Sequence, residues 1–134
     1  MFLAQLEESY KKSFLELAFA VAEANGIIAN EEKKIISAYY QELGIEESGY
    51  QIIGCSVEEA LQGFKDAPKE VKNSIFLEMM YLVLADYQYD EVEKDVVKLL
   101  MSHLQVSQEG HDQVVTWVGK MQELYQEAIQ FVAG

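Results

Sequence analysis

Positive charge is scarce in this chain. Ten Lys and Arg residues stand against 23 Asp and Glu, a net charge of −13 over 134 residues. That balance argues against nucleic acid, because neutralising phosphates takes clustered basic side chains. It argues equally against docking on an anionic leaflet. Cysteine is nearly absent: Cys55 alone permits no intrachain disulfide, which fits a reducing, cytoplasmic compartment. No apolar run nears the ~20 residues of a membrane span. The opening MFLAQLEESYKKSF has neither the basic start nor the unbroken apolar stretch of a signal peptide. With a single proline there is little room for linkers, so one domain is expected over residues 1–134.

Catalytic groups are sparse too. Cys55 has no His, Lys or Arg within several residues, and a lone thiol is more often a small core residue than a nucleophile. His103 and His111 are eight apart, across an expected helix boundary, and so form no zinc pair. A Ser/His/Asp set and a glycine-rich phosphate loop are both missing from the sequence. No enzymatic activity is expected.

Apolar residues at helical spacing are plentiful. Leu3, Leu6, Tyr10, Phe14, Leu17, Ala18, Val21 and Ala24 mark a long first helix, with Gly26 as its stop. A second helix runs from near Asn30 to Gly44. Ser56 and Glu59 form a capping box for a short third. Pro68 opens a fourth as its first residue, where a missing N–H costs nothing. A fifth covers about Glu91 to Leu104. The sixth carries Val114, Trp117, Val118, Met121, Leu124, Tyr125, Ala128, Ile129 and Val132. The aromatics Phe14, Phe19, Tyr39, Tyr40, Phe76, Tyr81 and Trp117 are expected mostly in the core. No segment alternates polar and apolar residues between turn signals, so the expected fold is all-α, a bundle of about six helices.

The bundle contains a repeat. Residues 14–49 align with residues 76–110 with one gap opposite Glu23, and nine of 35 paired positions are identical. FLE opens both units, Ala24 pairs with Ala85, Glu32-Lys33 with Glu93-Lys94, and Leu43 with Leu104. Each unit is a helical hairpin that cannot bury its apolar face alone, and two together make a four-helix core.

The loops of these hairpins carry a family likeness. Ala24-Asn25-Gly26, followed after two residues by Ala29-Asn30-Glu31-Glu32, resembles the Ala-Asp-Gly…Glu-Glu signature of TerB-like domains, named for tellurite resistance. Ala85-Asp86 with Asp90-Glu91-Val92-Glu93 resembles the same signature a second time. The resemblance implies an all-helical cytoplasmic domain, acting in stress response or sensing, with acidic loop residues that bind a metal ion. Two departures stand out: Asn25 replaces the first Asp, and Tyr87-Gln88 replaces the Gly-containing pair of the second copy.

The candidate metal ligands are therefore Asp86, Asp90, Glu93, Asn25 and Glu32, hard oxygen donors suited to Ca²⁺ or Mg²⁺. The Asp86-x-Gln88-x-Asp90 spacing fails as an EF-hand, since Glu91 stands at the glycine position and Val97 at the bidentate acid. A plainer account exists for part of the set. Asp90 as N-cap and Glu93 as its capping-box partner need no ion. Asp86 falls where a helix end disfavours negative charge, and has no such account. Two readings follow: a cation site in a TerB-like domain, or a non-enzymatic interaction module whose acidic surface meets a basic partner.

Overall fold

The computed structural model describes residues 3, 6–24, 30–46, 49–84 and 91–134, with the side chains of 30–32 and 91–93 left aside. Among the described residues the chain is all-helical. The helices are α1 (Glu8–Glu23), α2 (Asn30–Leu43), α3 (Val57–Leu61), α4 (Lys69–Val83), α5 (Glu91–Leu104) and α6 (Gln108–Ala133), with a 3₁₀ turn at Gln62–Phe64.

α1 and α4 form the centre. The buried face of α1 carries Phe14, Leu15, Leu17, Ala18 and Val21, and that of α4 carries Ile75, Phe76, Met79, Met80 and Leu82. The two helices pack on one another, with α2 against α1, α5 against α4, and α3 against both α1 and α5. Phe14 and Tyr39 meet edge to face at 4.8 Å between centroids, a favoured aromatic arrangement. The buried Tyr39 hydroxyl donates to the Glu78 carbonyl at 2.9 Å, which ties α2 to α4. Burial, then the charge of Glu78, pushes the Tyr39 hydroxyl pKa well up, so it serves as a donor.

Two helix ends share one device. Gly44 after α2 is left-handed at φ +72°, and the Ile45 N–H bonds back to the Tyr40 carbonyl at 3.0 Å. After α5, Gln105 takes the same conformation at φ 58°, and the Val106 N–H reaches the Met101 carbonyl at 3.0 Å. Gln105 has no glycine freedom, but its turn is held from outside. Lys69 Nζ donates to the Leu104 carbonyl at 3.2 Å and to that of Gln105, while Lys72 Nζ donates to Gln105 Oε1 at 3.0 Å. Two cations thus meet the negative end of α5.

Two expected boundaries and one expected core residue need correction, and the expected stop of the first helix at Gly26 lies outside the described residues. Leu3 and Leu6 are buried but precede α1, which starts at Glu8; the apolar spacing continued past the helix because the preceding segment also packs on the core. Pro68 is the N-cap of α4 in an extended conformation, and Lys69 is its first residue. Trp117 is 36% exposed and is not a core residue. Phe14, Tyr39, Tyr40 and Phe76 are buried, with Phe19 and Tyr81 half-buried. The capping box of α3 forms as expected, with the Glu59 N–H donating to Ser56 Oγ at 3.1 Å.

Candidate functional site

The acidic hairpin positions divide into two groups. Asn25, Asp86 and Asp90 lie outside the described residues, as do Gly26, Tyr87 and Tyr89. Glu32 and Glu93 each occupy the third position of a helix, α2 and α5 respectively. Their side chains lie outside the description. Among the described residues there is no group of three or more His, Cys, Asp or Glu placed to hold a metal ion.

The end of α4 bears on the argument for Asp86. Leu84 caps that helix, and its carbonyl accepts a hydrogen bond from Gln122 Nε2 on α6 at 3.0 Å. One of the terminal carbonyls of α4 is therefore met by an amide of the sixth helix. Local sequence gives no sign of this contact, since Gln122 is 38 residues away.

A second constellation escaped the sequence altogether. Glu16, half-buried on α1, accepts from the Tyr50 hydroxyl at 2.6 Å, the Ile53 N–H at 2.8 Å and the Gly54 N–H at 3.0 Å. Partial burial pushes its pKa up, but the three donors outweigh that and hold the carboxyl below its ordinary value. Burial first, then the hydrogen bond to Glu16 and its charge, raise Tyr50 to about 12. Cys55, partly covered nearby, is also pushed up by burial and then by the charges of Glu16 and Glu59. An undissociated thiol is a poor nucleophile. This group pins the connection between α2 and α3 to α1, which is a structural task.

The histidines stand in pairs with acids. His103 Nε2 lies 3.8 Å from Glu58 Oε1, and His111 Nδ1 lies 2.9 Å from Asp112 Oδ1. Hydrogen bonds from His111 and from Gln108 hold the exposed Asp112 below its ordinary value. Neither pair has a third ligand around it among the described residues.

The remaining feature is the outer part of α6. This helix has 26 residues, and only Val118 is fully buried. From 123 to 134 every residue is exposed. Leu124 is 64%, Tyr125 67%, Phe131 87% and Val132 83% exposed, although they continue the apolar stripe that begins at Val114. The depressions on this helix are open and shallow; one is lined by Gly119, Gln122, Glu123, Gln126 and Glu127. No described helix is long and apolar enough to cross a membrane. The chain matches no family model, no curated protein and no solved structure.

Proposed function

We propose that this chain is a non-enzymatic interaction module whose acidic surface binds a basic protein partner without needing metal. The observation that carries this reading is the outer part of α6. Large apolar side chains stand exposed there on a chain with 23 acidic and ten basic residues. Exposed apolar surface of this kind marks contact with another molecule, and the charge balance selects a cationic one. The test is affinity capture of a basic partner from cell extract, followed by reconstitution with purified components. The complex should survive chelator and weaken as salt rises. Loss of the complex in chelator, or indifference to salt, would sink this reading.

The second reading is the TerB-like one, a cytoplasmic domain holding Ca²⁺ or Mg²⁺ through Asp86, Asp90, Glu93, Asn25 and Glu32 in a stress-response or sensing role. It draws support from the correspondence of the two hairpins. Glu32 and Glu93 take the same helical position, and the left-handed residues Gly44 and Gln105 follow the aligned pair Leu43 and Leu104. Calorimetric titration of Ca²⁺, Mg²⁺ and Mn²⁺ into chelator-treated protein tests it. Binding heat that disappears in Asp86→Ala supports the site, and silence toward all three ions removes it.

A further inference from the structure

We infer that the apolar face of α6 beyond Met121 is the docking surface for a cationic amphipathic helix of the partner, an inference that rests on the interaction reading above. At 3.6 residues per turn, Val114, Trp117, Val118, Met121, Leu124, Tyr125, Ala128, Ile129, Phe131 and Val132 fall on one arc roughly 160° wide. Its inner part is covered by the body through Val118 and its neighbours. The outer part, residues 123–133, projects for roughly 16 Å at 1.5 Å per residue with its apolar side chains exposed. A helix face with anchors at i, i+1, i+7 and i+8 is what a second helix packs against. Tyrosine and large apolar groups are suited to such anchoring.

Charge decides what kind of helix docks. Along α6 the acids Glu109, Asp112, Glu123 and Glu127 stand against Lys120 alone. Beyond Met121 the helix carries Glu123 and Glu127 and no Lys or Arg. Glu127 borders the arc on one side, with Lys120 on the same border two turns nearer the body, and the neutral Gln122 and Gln126 border it on the other. A partner helix with Lys or Arg beside its apolar stripe meets opposite charge on the acidic border and polar neutral groups on the other. A second copy of this chain would bring −13 against −13 and set the same glutamates near one another. Electrostatic complementarity therefore favours the cationic helix.

Trp117, the chain's single tryptophan, lies on the arc and reports its occupancy. The experiment uses the full chain and three synthetic peptides of about five helical turns. The first has Leu at i, i+3, i+4 and i+7 with Lys flanks, the second has the same Leu pattern with Glu flanks, and the third is the first one scrambled. The expected result is a saturable blue shift of Trp117 emission with the first peptide alone. Its affinity should fall at least ~10-fold in the Leu124→Glu/Val132→Glu double variant, whose thermal unfolding stays unchanged because both side chains are exposed. Equal binding of the scrambled peptide, or full binding by the double variant, would overturn this surface while leaving the interaction reading in place. No response to any cationic peptide, with the captured partner still binding, would do the same. Failure of both peptides and partner would remove the two together. A dimer in sedimentation that Leu124→Glu dissolves would assign the face to a second copy and overturn the cationic helix.

Discussion

The two halves of α6 have the same apolar rhythm and opposite surroundings. Val118 is completely buried against the body, whereas Leu124 and Tyr125, two turns or less further on, are about two-thirds exposed. Periodicity therefore establishes that a helix has an apolar face; it does not establish what lies against it. The inner half is fixed by packing on α4 and by Gln122 on the Leu84 carbonyl. The outer half has helical hydrogen bonding and an uncovered apolar stripe.

Substitutions sharpen this contrast, beginning with the most damaging. Val118→Asp places an unpaired charge in the core and should cost roughly 3–5 kcal/mol, read by denaturant unfolding. Gly63→Ala tests the close approach of the 3₁₀ turn to α1. A Cβ there would lie 2.6 Å from Ser13 Oγ and 2.9 Å from Ser13 Cβ, so a loss of about 1–3 kcal/mol is expected by the same measurement. Glu16→Gln leaves a neutral amide to serve three donors and should cost about 1–2 kcal/mol at neutral pH. Because the folded-state pKa of Glu16 is depressed, its contribution is complete above the ordinary carboxylate value and disappears as pH falls through the folded one. Wild-type and Glu16→Gln stabilities, measured across that acid range, should therefore converge. Leu124→Asp comes last, within ~0.5 kcal/mol of wild type in the isolated chain. A large loss there would show that the outer half of α6 is covered in solution, and would break the comparison.

Local rules carried much of the fold. Ser56 and Glu59 are three residues apart, so their capping box was legible, as were the start of α2 at Asn30 and the span of α5. Contacts between distant segments were not. Glu16 is at least 34 residues from the groups that it binds, and Lys69 is 35 from the Leu104 carbonyl, so no local pattern joins them. Trp117 was misplaced for a related reason: its spacing puts it on the stripe, but only the finite extent of the body decides that the stripe emerges into solvent there. Of the expected cation site, the structure describes the helix positions of Glu32 and Glu93. Asp86, Asp90 and Asn25 rest on sequence alone.

The grip of Glu16 on the α2–α3 connection gives that segment a chemical clock. Ile53 is 84% exposed, and Gly54 is exposed as well, so their amides would ordinarily trade hydrogen for deuterium quickly. Both N–H groups are instead held by a carboxylate that is anionic at neutral pH. Their exchange should slow by comparison with the same two amides when Glu16 cannot hold them. In Glu16→Gln the same two amides should lose much of that protection. Two backbone protons on the outside of the molecule thus record the charge of one side chain on its central helix.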